Sequence, residues 1–332
     1  MEEFMMKITV KTLLGATALS LGALVATQAA AECDWKPERA VTYVVPWGAG
    51  GGTDANSRML ASMLSNEMGQ PFNVVNRTGG NGVTGHSALA RAKADGYTVG
   101  AATVEINTMH WVGLTDLTYK NITPIALVDV VPAGFTVKAD SPYNSLKEVL
   151  DVAKAEPGKL TASGTSQGGI WHLALAGMLN AEGMDPASIR WIPSKGAGPA
   201  MKELMAGGVD VVTVAQSEAK NLIEQGELKG LGYMHSERMA ALPDIPTTAE
   251  QLDSGWTLAA FITVSGPEGM DKEIACSYEK AALKVMATKE WAEFKASRGA
   301  DVVLMGTEEL NAFVKKSDAA LGETIKAIGL AK

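Results

Sequence analysis

The sequence predicts an α/β protein whose sheets are mostly parallel. Three observations support this fold class. Segments rich in β-branched residues alternate with segments of helical periodicity, glycine-rich turns join several of these pairs, and the 332 residues are 46% hydrophobic and 20% charged, which is typical of a folded globular chain. Repeated strand–turn–helix units favour parallel pairing of the strands.

The first predicted strand is VTYVV (Val41–Val45), and a glycine-rich turn follows it. The next segment has Met59, Leu60, Met63 and Leu64 at helical spacing, with Thr53 or Asp54 as the expected N-cap and Gly69-Gln70-Pro71 as the stop. Two further strands are predicted at Phe72–Asn76 and 98–105, on either side of a second glycine-rich turn, TGGNGVTG.

Later in the chain, strands are predicted at 135–140, 159–164, 209–214 and 228–234. Ser145 and Glu148 form a potential capping box that opens a helix ending near Ala155. The segment GIWHLALAGML is a predicted helix, another is expected near 217–224, and 271–332 is mostly helical. In α/β sheets ligands bind beyond the carboxyl ends of strands, where these glycine-rich turns lie.

Residues 1–31 have the pattern of a secretory signal peptide. Lys7 and Lys11 precede the short apolar run LLGATALSLGALVA, and Ala29-Ala30-Ala31 ends it. Glu32, which precedes Cys33, argues against a lipid anchor, so we expect a soluble exported protein. There, Cys33 and Cys276 either pair or remain two thiols, and the sequence leaves both possibilities open.

The formal net charge is -8 and no basic run stands out, which argues against a nucleic-acid partner. His86 and His110 lack metal-ligand spacing, so we expect no metal. We also expect no cofactor.

Two enzyme classes have partial matches among the turns. Residues 80–85 fit the dinucleotide-binding pattern G-x-G-x-x-G, and Glu105 lies at the distance expected for its acidic residue. Residues 164–168 fit the hydrolase elbow G-x-S-x-G around Ser166. Asp185 or Asp210, with His235, are conceivable partners for a catalytic triad. An NTP phosphate loop is excluded because Thr53-Asp54 follows Gly52 where Lys and Ser or Thr are needed.

The remaining hypothesis is that the turns bind an anion without catalysing a reaction. Each turn leads into a helix N-terminus, whose free N–H groups and dipole attract negative charge. Hydroxyls of Thr53, Thr84, Thr165 and Ser166 add donors. Since a hydrogen bond to a charged group contributes about 1.5–3 kcal/mol, three or four of them approach the ~8 kcal/mol of a micromolar site. The turns are therefore suited to a carboxylate.

Several motifs in register resemble the solute-binding proteins of tripartite tricarboxylate transporters, also called Bug receptors. They are VVPWGAGGGTD, NRTGGNGVTG, ADGYTVG, PGKLTASGTSQGGIWHLALAGML, PSKGAGPAMKELMAGGVDVV and ALPDIPTTAE, and they cover the chain from about Val41 to Glu250. The resemblance implies a non-enzymatic, two-lobed periplasmic binding protein that closes on a small carboxylate and docks on membrane transporter subunits. The implied lobes are 32–129 with 257–332, and 130–256, with crossovers near Asp129 and Trp256, and we expect a monomer.

Carried over by the resemblance, first-lobe ligand contacts fall on Gly50, Gly51, Gly52, Thr53, Asp54, Val83 and Thr84. Second-lobe contacts fall on Gly164, Thr165, Ser166 and His172, with Lys195 and Asp210 nearby. Trp47 stands where the family often has Phe and an extra proline, and Trp171 lies beside the second-lobe turn. Both tryptophans are candidate pocket walls or ordinary core residues. The sequence does not identify the acid.

Overall fold

In the computed structural model, residues 33–332 are described, and the expected signal peptide lies outside them. Strands and helices alternate through most of this range. The strands are β1 Val41–Val45, β2 Phe72–Asn76, β3 Thr98–Thr103, β4 Ile122–Lys138, β5 Thr161–Ser163, β6 Arg190–Trp191, β7 Val211–Ala215, β8 Leu228–Tyr233 and β9 Ala259–Pro267. The helices are α1 Gly52–Met68, α2 Val83–Ala90, α3 Leu146–Ala155, α4 Ile170–Ala181, α5 Ala197–Met205, α6 Gln216–Glu224, α7 Thr248–Gln251, α8 Lys272–Met286, α9 Lys289–Ser297 and α10 Thr307–Ala327.

The strands lie in the order β2-β1-β3-β9-β4-β7-β5-β6, with β8 also paired to β4. The outer pairings β1–β2, β1–β3, β5–β6 and β5–β7 are parallel. The pairings made by β4 and β9 are antiparallel, because these two strands run back through the middle of the molecule. The predicted parallel sheets therefore form the two outer parts, joined by an antiparallel centre.

Strand β4 belongs to both parts. Its first portion pairs with β9 as far as Pro132, and from Ala133 onward it pairs with β7. The predicted strand at 135–140 overlaps the end of this much longer element, which stops at Lys138. The first half was missed because Pro132 normally excludes a central strand assignment.

The buried side chains form two large clusters, one under the first part and one that extends across both parts. Beneath β1, Tyr43 and Val45 pack with Leu60 of α1 and with Tyr278 and Trp291 of α8 and α9. A second cluster joins Phe135 of β4 and Leu173 of α4 to Leu310 and Ile325 of α10. Helix α10 thus packs on α4 of the second part and also on the first part, where Asn107 donates to the Val314 carbonyl at 2.9 Å.

The structure joins Cys33 to Cys276 of α8 in a disulfide, with the two Cα atoms 5.2 Å apart. Among the described residues, no helix is both long enough and apolar enough to cross a membrane.

Candidate ligand-binding site

The first glycine-rich turn, 46–51, is held in shape by a carboxylate behind it. Gly50 adopts a φ of 85° and donates its N–H to Asp54 Oδ2 at 2.9 Å. The amide of Asn76 donates to Asp54 Oδ1 at 2.8 Å, and Arg58 Nε donates to Oδ2 at 2.9 Å. Asp54 therefore fixes the turn from its buried side.

The electrostatics of Asp54 agree with this structural role. Burial raises the pKa of the Asp54 carboxyl, but the hydrogen bonds from Arg58, Gly50 and Asn76 outweigh burial and hold the pKa below its ordinary value. The carboxylate stays ionised and its oxygens are occupied by protein donors.

The expected N-cap of α1 was wrong. Gly51, with φ −78° and ψ 174°, occupies that position without a side-chain hydrogen bond, and Thr53 and Asp54 lie in the first turn of the helix. Asp54 does not cap because its carboxylate turns back to Gly50. First-turn N–H groups lack intrahelical partners, so this end of α1 presents donors to the solvent side of the turn.

The second turn, 77–82, is anchored by His86, which is fully buried. His86 Nε2 accepts the N–H of Thr103 at 3.0 Å, so the ring's proton is on Nδ1, which donates to the Gly82 carbonyl at 2.8 Å. Burial lowers the pKa of His86 to about 4. A neutral histidine thus fastens the second turn to the end of β3.

A chain of hydrogen bonds also connects the first turn to Thr103 at the end of β3. Trp47 Nε1 donates to Thr103 Oγ1 at 3.1 Å, and Thr103 Oγ1 donates to Glu105 Oε2 at 2.5 Å. Glu105 is 6% exposed, and burial raises its pKa. Glu105, the acid that fits the dinucleotide pattern, therefore accepts a hydrogen bond within the protein, beneath the turns. Trp47 itself is half-buried at their edge.

The third turn, 164–169, meets the second. Ser166 Oγ donates to Asn81 Oδ1 at 2.5 Å, although the two residues belong to different parts of the sheet. Gly164 packs directly against the Thr213 carbonyl, where a side chain would collide. Gly168 has a φ of 73° and donates its N–H to His172 Nδ1 at 3.0 Å. The N-termini of α2 and α4 therefore face a common space.

The hydrolase interpretation of Ser166 finds no support in these contacts. Within residues 33–332, neither His172 nor His235 hydrogen-bonds to Ser166, since His172 holds Gly168 and His235 bonds Glu237. Ser166 instead donates to an amide oxygen. A serine nucleophile requires an adjacent base.

An acid that the sequence analysis did not select lies beside the first turn. A Cβ atom on Gly52 would be 4.0 Å from Glu218 Oε1, and Glu218 belongs to the first turn of α6. Burial raises the pKa of Glu218 to about 7, against the attraction of Arg298. This carboxyl can therefore be neutral near neutral pH.

The remaining predicted site residues differ in where they lie and in how exposed they are. Val83 is half-buried and Thr84 exposed at the start of α2, while Thr165 lies in the third turn and Trp171 is 8% exposed in the core. Lys195 is exposed in the loop before α5. Asp210 is not brought to this edge. It precedes β7 and accepts hydrogen bonds from the N–H and hydroxyl of Thr161, at the amino ends of these strands.

Sequence reasoning missed His86, Thr103, Asn81 and Glu218 as parts of this site. Asn81 carried a local signal, since an asparagine between glycines readily adopts the positive φ of 55° seen here. His86 and Thr103 carried none, because their contact depends on how β3 lies beside β1.

The family model for the tripartite tricarboxylate transporter family receptor matches residues 57–330. The chain belongs to this family. Receptor members of it are periplasmic solute-binding proteins and not enzymes, and the fold of this chain is that of a two-lobed periplasmic binding protein.

Relatives agree over nearly the whole chain. Protein BugT of Bordetella pertussis is 28% identical over 301 residues, which cover 89% of this receptor and 91% of BugT. The structure of the periplasmic binding protein BugD is 29% identical with a TM-score of 0.79, covering 89% and 99% of the two chains. An R. palustris protein with adipate is 28% identical with a TM-score of 0.81, covering 90% and 99%.

Proposed function

We propose that this receptor binds a small dicarboxylate between its glycine-rich turns and presents it to the membrane subunits of a tripartite transporter. The observation that carries the proposal is the Ser166–Asn81 contact, which brings the N-terminal ends of α2 and α4 to one space. The adipate in the R. palustris relative supports the ligand class.

In the proposed lobes, 32–129 and 257–332 form one unit and 130–256 the other. Strand β4 changes partners between Pro132 and Ala133, close to the proposed crossover. Closure then brings donors from Gly51, Gly52 and Thr53 on one side against those of Thr165 and Ser166 on the other. A ligand that contacts both sides shifts the open–closed balance.

The direct test is calorimetric titration of the purified receptor with adipate, malate, succinate and citrate, with NAD as the negative ligand. We expect one dicarboxylate to bind with micromolar affinity or better. Binding of NAD alone, or of none of the acids, would contradict the proposal.

A variant locates the site. Replacing Ser166 by Ala removes the hydroxyl that donates to Asn81 in this structure and that would donate to the ligand instead when the ligand binds. Losing one hydrogen bond to a charged ligand is expected to weaken binding by about 1.5–3 kcal/mol, or roughly 10- to 150-fold. Ser297→Ala is the matched control, because Ser297 only bonds Phe294 at the end of α9. Equal affinities of the two variants would place the ligand elsewhere.

Export is part of the proposal. The N-terminal segment 1–31 is expected to be removed, so mass spectrometry of the periplasmic fraction should find a chain that begins near Glu32. We expect that chain to be a monomer in size-exclusion chromatography.

A further inference from the structure

We propose a second small-molecule site in this receptor, separate from the glycine-rich cleft, for an organic acid with an apolar body. It is a cavity of about 400 Å³ between α4, the segment 186–192 and the residues that follow α10. Ligand cavities typically begin at about 300 Å³. No residue of the first or second glycine-rich turn lines it, and the third turn contributes Gln167 alone.

His172 brings to the cavity a ring N–H that has no hydrogen-bond partner among residues 33–332. His172 is 9% exposed, and its Nδ1 accepts the Gly168 N–H at 3.0 Å. Burial lowers the pKa of His172 to about 4, so the ring is neutral at pH 7 and its proton is on Nε2. Among residues 33–332, no group accepts a hydrogen bond from Nε2. A ligand oxygen in the cavity would satisfy this donor.

The charge at the cavity favours an anion. Arg190 is exposed at its wall, and its Nε donates to the Gly158 carbonyl at 3.0 Å. In the described part of the chain Arg190 makes no ion pair. Gln167 adds an amide at the same wall. A carboxylate can accept hydrogen bonds from a neutral N–H donor and from a guanidinium at the same time.

The rest of the lining is apolar. Ala176 and Ile189 are buried, Ile328 and Leu330 close the opposite wall, and the indole of Trp191 lies 4.9 Å from the His172 ring. A di- or tricarboxylate would place its second charge against these apolar walls without a partner, which is unfavourable. The lining therefore selects an acid with one carboxylate and an aromatic or aliphatic body.

The cavity is mechanically linked to the cleft. His172 holds Gly168 of the third turn, and Leu330 is fixed by its N–H to Ile325 at 3.0 Å, at the end of α10. A ligand in the cavity contacts both α4 and this terminal segment. It thereby restrains the turn that carries Ser166 without occupying the cleft.

The test uses benzoate, with uncharged benzamide as its matched analogue. Fluorine NMR of 4-fluorobenzoate and calorimetry with benzoate are recorded with and without saturating adipate. We expect benzoate to bind in both cases, and benzamide to bind more weakly. Displacement of benzoate by adipate, or no binding at millimolar benzoate, would overturn the second site.

Three variants locate it. Ala176→Phe fills the cavity and is expected to weaken benzoate at least tenfold while leaving adipate affinity unchanged. Arg190→Gln should weaken benzoate about threefold, as for an exposed charge, and Arg190→Lys should restore it. Loss of adipate binding in Ala176→Phe would instead make the cavity part of the cleft.

Circular dichroism establishes that each variant is folded. If Ala176→Phe does not fold, Ala187→Trp at the exposed rim blocks the entrance instead. Unchanged benzoate affinity in a folded blocking variant would refute the proposal. The test of the second site does not depend on the proposed function, because benzoate binding can be measured even if adipate does not bind.

Discussion

Two buried histidines hold the second and third glycine-rich turns as neutral hydrogen-bonding groups. His86 links the Gly82 carbonyl to the N–H of Thr103, and His172 accepts from Gly168. Burial lowers the pKa of both rings to about 4. Protonating either ring would place a donor where a backbone N–H now points, so the turns depend on neutral imidazole.

We predict that acid destabilises the receptor through these histidines. The folded-state pKa is depressed below the ordinary 6.5, so the unfolded chain binds more protons and stability is lost as the pH falls from about 6.5 towards 4. The loss from His86 is up to about 3 kcal/mol. Urea unfolding at pH 7 and pH 4.5 measures it.

His86→Gln should flatten this pH dependence, whereas His235→Gln in an exposed loop should not. Glu218 contributes with the opposite sign, because its raised pKa makes stability fall as the pH rises from 4.5 to about 7. A pH dependence that is identical in the two histidine variants would contradict the role of His86.

We further predict that dicarboxylate affinity falls as the pH rises through about 7. Glu218 lies beside Gly52, and its ionised form repels a bound carboxylate whereas its protonated form does not. Glu218→Gln should remove the dependence and match the affinity of the protonated receptor. Calorimetry from pH 6 to pH 8 checks it, and a wild-type affinity that is constant over this range would place the ligand away from Gly52.

At the scale of elements, a buried ion pair connects α9, β4 and the first turn of helix α1. Lys295 Nζ lies 2.5 Å from Asp129 Oδ1, and Asn56 donates to Asp129 Oδ2 at 3.1 Å and to the Gly52 carbonyl at 3.0 Å. Lys295 is 1% exposed. Burial raises the pKa of Asp129 and lowers that of Lys295. The opposite charge of the partner acts against burial in each case, because it stabilises the charged form.

Lys295→Met should therefore destabilise the receptor by about 3–5 kcal/mol, because it leaves the Asp129 charge buried and unpaired. Adding Asp129→Asn removes that charge and should recover part of the loss. Chemical denaturation of the two single variants and the double variant measures the coupling. Additive losses would show that the pair does not act as a unit.

The elements show which parts of this fold are readable from sequence. The three glycine-rich turns were predicted, and α1 and α4 were found, because their signals are local: periodic apolar residues and glycines at strand ends. Strand β9 and the first half of β4 were missed. Asp129 resembles a turn residue in sequence, and only its distant partner Lys295 explains why a charge lies within a central strand.

The same distinction applies to the site. The hydroxyl and glycine positions follow from the motifs, while Glu218 and the His86–Thr103 contact depend on packing between segments far apart in the chain. Neither the cavity beside His172 nor its apolar walls had a sequence signal, since they arise where the end of α10 meets α4.

At the scale of the whole molecule, the Cys33–Cys276 disulfide closes a covalent ring with a sequence separation of 243 residues. The ring contains every strand and both sides of the proposed cleft. Such a link mainly restricts the unfolded chain, and the restriction grows slowly with ring size.

Reduction, or a Cys33→Ser and Cys276→Ser double variant, is expected to cost about 2–4 kcal/mol of stability. Dicarboxylate affinity should change little, because Cys276 belongs to α8 and neither cysteine is one of the candidate ligand-contact residues. Thermal unfolding with and without a reductant measures the first effect and calorimetry the second. Unchanged unfolding would show that the ring does not restrict the unfolded chain.

Because β4 passes from one sheet to the other, we expect that neither half folds as a soluble fragment. A piece that ends before Pro132 lacks β9, and a piece that begins at Ala133 loses the rest of β4. Each fragment would carry an unpaired strand edge, which promotes aggregation. A split version of this receptor, for a two-component sensor of organic acids, should therefore be divided in a surface loop such as 182–188, with β4 intact.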